Sequence, residues 1–279
     1  MTIGESIKWV ESMLKEQDIE EADIETKYMT ANILGKTNNF LWFSYNEELD
    51  PSRERALLEM VRRRIKREPI QYIIGECDFL DYTFYVGEGV FIPRPETEIL
   101  VLKARDYLLN NRSPIVYDIG TGCGVIGLSL AKLIPDLLVY ASDIADLKFA
   151  QVNKERLRVR ERVYLLSGSL FEPYKKLPKA NVIVSNPPYI STKEIAFLAP
   201  EIRHFEPRES INGGEDGLSF IRKLLSDAPR YLKPNGRLIF EIGDGEWEEV
   251  EKIANLYFDN VKIVMDYNNK ERICICGLE

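Results

Sequence analysis

The stretch PIVYDIGTGCGVIG, Pro114 to Gly127, decides the fold. Ile115, Val116 and Tyr117 suit a short buried strand. That strand runs into Gly120, Gly122, Gly124 and Gly127, which predicts a tight turn that a ligand can approach closely. Gly122, Gly124 and Gly127 alone fit G-x-G-x-x-G, a spacing also used to bind dinucleotides. Asp118 changes the pattern. It closes the strand ahead of the glycines and gives D-x-G-x-G-x-G. Taken alone, these glycines also suit a packing turn.

Reading outward, the same alternation repeats. LLVYASD (137–143), RVYLLSG (162–168), NVIVSN (181–186) and GRLIFEIG (236–243) read as strands separated by helical segments. VKIVMDY (261–267) and RICICGL (272–278) follow as two strands close enough to pair antiparallel. This order predicts an α/β fold with a mostly parallel, Rossmann-like sheet of seven strands, and ligands at the carboxyl ends. Asp143 ends the second strand. A carboxylate there suits two ribose hydroxyls, and equally suits a helix N-cap. No internal repeat is visible.

Upstream, the chain reads as helices. Thr2 and Glu5 have capping-box spacing, and Ile3, Ile7, Val10 and Leu14 fall on one face. A second helix is expected from Asp23 to about Gly35, and a third after Asp50-Pro51, ended by Pro69. The third carries Arg62, Arg63, Arg64, Lys66 and Arg67, which read as a solvated face or as a docking surface for an acidic partner. Residues 70–92 read as short strands, with a hairpin around YTFYV. The expected organisation is a small helical domain over 1–68, a β-hairpin linker over 69–92 and an α/β domain over 93–279.

Composition narrows the function. The net charge of −8 argues against a chain that coats nucleic acid. No apolar run is long enough to span a bilayer. The first residues carry acids in a helical pattern and resemble neither a signal peptide nor a transit peptide. Cys77, Cys123, Cys274 and Cys276 form no C-x-x-C pair, and His204 is the single histidine, so no metal site is readable. A reducing cytoplasm is the expected setting. Cys274 and Cys276 should share one face of a strand.

The fourth strand leads into Asn186, Pro187, Pro188 and Tyr189. Asn186 can accept an N–H through its side-chain oxygen, and the carbonyl of Pro187 can accept a second. Two prolines hold that carbonyl still. Tyr189 can pack on a planar amide or base. Such a site aligns the lone pair of a poorly nucleophilic planar nitrogen with an incoming methyl group, and its acceptors favour the positive charge that develops. No metal and no covalent nucleophile are required.

D-x-G-x-G-x-G resembles the first motif of class I S-adenosylmethionine methyltransferases, and N-P-P-Y resembles the signature of those acting on planar amino groups. REPIQYIIGECDF, VFIPRPETE, DIGTGCG, SNPPYI, FEPRESINGGEDGL and YLKPNGRLIFEIG together resemble the peptide chain release factor N5-glutamine methyltransferases, in order and spacing, almost end to end. The resemblance implies transfer of a methyl group from S-adenosylmethionine, leaving S-adenosylhomocysteine, to the glutamine of the Gly-Gly-Gln tip of class 1 release factors. Gly120, Thr121, Gly122, Cys123 and Gly124, with Asp118, Asp143, Ser169, Leu170 and Asn186, should hold the cofactor. Asn186, Pro187 and Tyr189 should carry catalysis. Pro188, Arg94 and Glu98 should join them in holding substrate. Besides the release factor, the expectation is a monomer with no stable nucleic-acid partner and no membrane.

Two residues depart from the family pattern. Ser169 stands where an acid is usual, and Glu246 stands where glutamine is frequent; neither is expected to touch the amide site. A glutamine methyltransferase of a large-subunit ribosomal protein is the nearest rival. An adenine-amine DNA methyltransferase would need a target-recognition region that the short helical N-terminus does not offer. A binding module without catalysis is disfavoured by intact Asp118, Asp143 and Asn186.

Overall fold

The structure, a computed structural model, describes residues 1–37, 40–109 and 111–278. Its contacts divide into two compact units, Met1–Gly75 with Pro200–Phe205, and Glu76–Ala199 with Glu206–Glu279.

The first unit is helical: α1 (Ile3–Lys15), α2 (Ala22–Leu34), α3 (Leu41–Ser44), α4 (Pro51–Ile65) and α5 (Ile70–Ile74). Thr2 and Glu5 form the reciprocal capping box that their spacing predicts. Gly35 caps α2 in the left-handed conformation at φ 63°. Asp50 caps α4, accepting from Ser52 N at 2.9 Å and Arg53 N at 3.1 Å. Ile3, Ile7, Val10, Leu14, Met29, Leu57 and Val61 meet in one core.

Three details differ from the sequence reading. α4 ends at Ile65, and the chain turns at Arg67 with φ 68°, before Pro69 is reached. Ile70–Ile74 is a short helix rather than a strand, because Pro69 can open a helical turn and Gly75 closes it at φ 84°. The basic face of α4 is largely engaged within its own unit. Arg63 Nε lies 2.8 Å from Glu68 Oε2. Arg64 is buried and pairs with Glu25 and Glu201, and Arg67 also reaches Glu201.

The second unit opens with a hairpin, β1 (Glu76–Phe79) and β2 (Tyr82–Tyr85). Then follow α6 (Thr97–Leu108), β3 (Ile115–Ile119), α7 (Val125–Leu133), β4 (Leu138–Asp143), α8 (Lys148–Arg156), β5 (Val163–Ser167) and β6 (Ala180–Ser185). After α9 (Pro200–Phe205), which groups with the first unit, come α10 (Arg208–Ile211), α11 (Ser219–Asp227) and β7 (Leu232–Glu241). The chain ends with α12 (Trp247–Ala254), β8 (Asn260–Met265) and β9 (Glu271–Gly277).

The seven-stranded sheet has the order β5-β4-β3-β6-β7-β9-β8. β3 to β7 run parallel, and β9 is antiparallel to both β7 and β8. The central strands are buried along their length, which is why they read as continuous apolar runs. Strand succession reverses between β3 and β6, where a doubly wound sheet opens a crevice for ligands. Tyr117, Tyr174, Ile183, Leu224, Leu238 and Phe240 pack the core beside it. Cys274 and Cys276 do share a face, with their sulfurs 3.5 Å apart and both free.

Candidate active site

The glycine loop follows β3 at this crevice. Its conformation is set by Asp118, which is wholly buried. Oδ2 of Asp118 accepts from the Thr121 hydroxyl at 2.6 Å and from Gly127 N at 2.9 Å. Gly127 must be glycine, since a Cβ there would lie 2.8 Å from that same oxygen. Among the described residues, Oδ1 of Asp118 is buried without a hydrogen-bond partner. Burial pushes this carboxyl up to about 6, against the pull of the Thr121 and Gly127 donors. At Gly120, with φ 74°, the place a Cβ would take is open space, so the loop presents bare backbone to a ligand. Cys123 offers backbone only, because its thiol is buried and pushed up to about 12.

Asp143 ends β4 beside this loop. Its Oδ2 accepts from Gly122 N at 2.8 Å and its Oδ1 from Ala145 N at 2.9 Å. Gly168 N donates to Asp143 O at 3.0 Å, which ties the start of the Ser169–Leu170 turn to the same strand tip. Ser169 is exposed and Leu170 is half-buried. The hairpin is fastened here as well. Asn153 of α8 accepts from Tyr85 N at 2.7 Å and donates to Tyr85 O and Cys123 O, both at 2.9 Å.

β3 and β6 are paired so that Ile119 faces Ser185, and the Ser185 hydroxyl donates to Ile119 O at 2.7 Å. Gly120 and Asn186 are therefore the next residues on neighbouring strands. Asn186 Nδ2 donates to Thr97 Oγ1 at 3.2 Å. Thr97 in turn donates to Glu241 Oε2 at 2.8 Å, and the Tyr189 hydroxyl donates to Glu241 Oε1 at 3.1 Å. Burial, and then the Glu241 carboxylate, hold the Tyr189 phenol well above its usual range, so it stays a neutral donor.

The turn after Tyr189 is braced by the INGGEDGL segment. Ile190 N donates to Ile211 O at 3.1 Å, Gly213 N to Ile190 O at 2.8 Å and Thr192 N to Gly214 O at 2.8 Å.

The structure thus gathers Asp118, Gly120 to Gly124, Asp143 and Asn186 to Tyr189 at one edge of the sheet. Arg94 and Glu98 are each held by a neighbour, and Arg94 is close enough to Tyr189 for its charge to act on that phenol. Arg94 pairs with the buried carboxylate of Glu206 and lies over the Phe91 ring. Glu98 Oε1 accepts from Leu80 N in the hairpin turn at 2.7 Å. Glu246 lies nearer the amide site than its sequence position suggests. A Cβ at Gly217 would collide with both the Tyr189 carbonyl and Glu246 Oε1, so that glycine is wedged between them. Burial pushes Glu246 up to about 7. Thr97 and Glu241 were not singled out by sequence; their one signal was position, within PRPETE and at the end of the fifth strand.

A Rossmann-like sheet of seven strands that brings a glycine loop and an N-P-P-Y turn to one switch point is the arrangement of class I S-adenosylmethionine-dependent methyltransferases. Residues 96–202 match the family described as "Methyltransferase small domain", and residues 5–75 match that described as "PrmC N-terminal domain". The release factor glutamine methyltransferase of Thermodesulfovibrio yellowstonii is 38% identical over 86% of this chain and 87% of its own. That of Clostridium acetobutylicum is 34% identical over 99% of this chain and 98% of its own. The chain belongs to the release factor glutamine methyltransferase family. Its fold is shared more widely: a methyltransferase from Pyrococcus furiosus superposes with a TM-score of 0.52 at 19% identity, covering 82% of this chain and 98% of that one.

Proposed function

We infer that this chain transfers a methyl group from S-adenosylmethionine to the side-chain amide nitrogen of the glutamine in the Gly-Gly-Gln tip of class 1 peptide chain release factors. The observation that carries this reading is the placement of Asn186 beside Gly120, on adjacent strand ends at the switch point. S-adenosylmethionine, when bound, supplies a methyl group on a positively charged sulfur. Gly120 to Gly124, Asp118, Asp143, Ser169 and Leu170 would hold it. The orphaned oxygen of Asp118 and the open space over Gly120 fit a ligand that carries a cationic donor.

Asn186 Oδ1 accepts one N–H of the substrate amide, and the Pro187 carbonyl accepts the other. With both protons held, the face of the amide nitrogen that carries its lone pair is turned toward the crevice, and the nitrogen that gains the methyl group would release one of these protons to solvent. Pro188 stiffens the carbonyl and Tyr189 packs on the planar group. Arg94 and Glu98, braced by Glu206 and by the Leu80 amide, would join them in holding substrate.

The test is transfer of a labelled methyl group to purified class 1 release factor, large-subunit ribosomal protein and DNA, with mass spectrometry of the products. Methylated glutamine in the release factor is expected. Methylated adenine, or methylated ribosomal protein, with unmodified release factor would overturn the reading.

Cofactor affinity should depend on pH. The folded carboxyl of Asp118 titrates near 6, above its ordinary 3.8, so it gains a proton as pH falls through 6. For the fold alone the sign is favourable at low pH: the cost of burying this charge is present above 6 and relieved below it. For a cationic ligand the sign is opposite, because protonation removes the acceptor charge. Calorimetry should find S-adenosylmethionine binding about tenfold weaker at pH 5 than at pH 7. Asp118→Asn should flatten that dependence. Equal affinity at both pH values in the parent chain would refute the role.

A further inference from the structure

A side-chain amide has two unlike ends, and a half-turn exchanges them with little change in shape. Acceptance of a substrate N–H requires the oxygen of Asn186 to face the crevice. Something must therefore prevent that half-turn. Behind Asn186, Thr97 and Glu241 continue a hydrogen-bond relay whose direction is fixed from its far end. Both oxygens of Glu241 act as acceptors, Oε1 from the Tyr189 hydroxyl at 3.1 Å and Oε2 from that of Thr97 at 2.8 Å, so Glu241 takes the single hydroxyl proton of Thr97. The Thr97 oxygen is then left with lone pairs alone. The end of Asn186 that can bond it, at 3.2 Å, is the NH2.

We propose that Thr97 and Glu241 are positioning residues that set the direction of the Asn186 amide, turning its oxygen toward the substrate nitrogen. This rests on the glutamine-amide reading above. Both side chains are 1% exposed, so water does not compete for the relay. The three residues stand at the start of α6, just past the end of β6 and at the end of β7. The same carboxylate takes the Tyr189 hydroxyl on its other oxygen. Both side chains of N-P-P-Y that face substrate thus take their alignment from Glu241. Burial raises the Glu241 carboxyl above its ordinary range, against the pull of the Thr97 and Tyr189 hydroxyls and of Arg272.

Thr97→Val keeps the side-chain shape, removes the hydroxyl and frees the amide to turn. Thr97→Ser keeps the hydroxyl. Methyl transfer to release factor should lose about 10- to 100-fold in kcat in Thr97→Val, since a small misplacement at a reacting centre can cost about 10²-fold. The dissociation constant of S-adenosylmethionine should stay within about threefold, since the relay does not reach the glycine loop. Thr97→Ser should stay within about threefold of the parent kcat. A parent-like kcat in Thr97→Val, or equal losses in both variants, would overturn the proposal.

A measurement on the unaltered chain guards against a variant that does not fold. In nitrogen-15 spectra, the side-chain NH2 protons of Asn186 should exchange with water more slowly than those of an exposed asparagine, and equal rates would also overturn it. A parent enzyme that labels some other acceptor and never glutamine removes the glutamine reading, and the proposal with it. An active Thr97→Val removes the positioning role alone.

Discussion

Asn186→Ala should abolish methyl transfer to release factor, with kcat reduced by about 10² to 10³ or more, the range for deleting one preorganised polar group at a reacting centre. The loss has two parts. One N–H of the substrate amide is left without an acceptor, so the nitrogen face that carries the lone pair is no longer held toward the crevice. The Thr97 oxygen also loses its donor. The fold should tolerate the change, because Asn186 lies beyond the end of β6 and is only partly buried. Binding of S-adenosylmethionine should stay close to the parent value. Asp118, the glycine loop and Asp143 are held by their own bonds to Thr121, Gly127, Gly122 and Ala145, which do not pass through Asn186. Single-turnover transfer of a labelled methyl group, with calorimetry of cofactor binding on the same preparation, measures both. Normal turnover would remove Asn186 from the chemistry. A joint loss of turnover and cofactor affinity would make it a cofactor residue instead.

The architecture of the second unit was legible because its signals are local. β3 and β6 are short apolar runs, one ended by glycines and the other by Asn-Pro-Pro, and each boundary is written in the residue that follows. The glycine loop, Asp143 and N-P-P-Y could be placed together for the same reason: each follows a strand, and parallel strands bring their carboxyl ends to one edge. What the sequence hid was pairing across the chain. Thr97 meets Asn186 from 89 residues away and Glu241 from 144. No periodicity encodes such a meeting, only the register of β6 beside β7. The same pairing across the chain hides what holds Arg94 and Glu98. Charged residues in a proline-braced turn look available, yet Glu206 and the Leu80 amide engage them. Ile70–Ile74 shows the opposite failure, where β-branched residues suggested a strand and the flanking Pro69 and Gly75 decided for a helical turn.

Arg64→Ala should destabilise the helical unit by about 3–5 kcal/mol, the cost of breaking a buried ion pair by removing one partner. The arginine run on α4 looked uniform in sequence, but its members differ in burial. Arg64 is 5% exposed, with Nε 2.6 Å and Nη2 3.1 Å from the two oxygens of Glu25, and Nη1 2.9 Å from Glu201 Oε1. Alanine at this position strands the Glu25 carboxylate, itself only 9% exposed. Glu201 is less affected because Arg67 Nε remains 2.8 Å away. Arg62 supplies the contrast on the same helix. It is 71% exposed and 3.5 Å from Glu59, so Arg62→Ala should change stability by no more than about 0.5 kcal/mol. Hydrogen exchange of the α1, α2 and α4 amides in the full chain reads the unfolding free energy of this unit without requiring both units to melt together. Removing both charges at once, Glu25→Leu with Arg64→Met, should cost less than Arg64→Ala alone, because no buried charge is then left unpaired. If Arg64→Ala proves as mild as Arg62→Ala, the buried pair contributes nothing net, and the apolar contacts of Leu57 and Val61 suffice to hold α4.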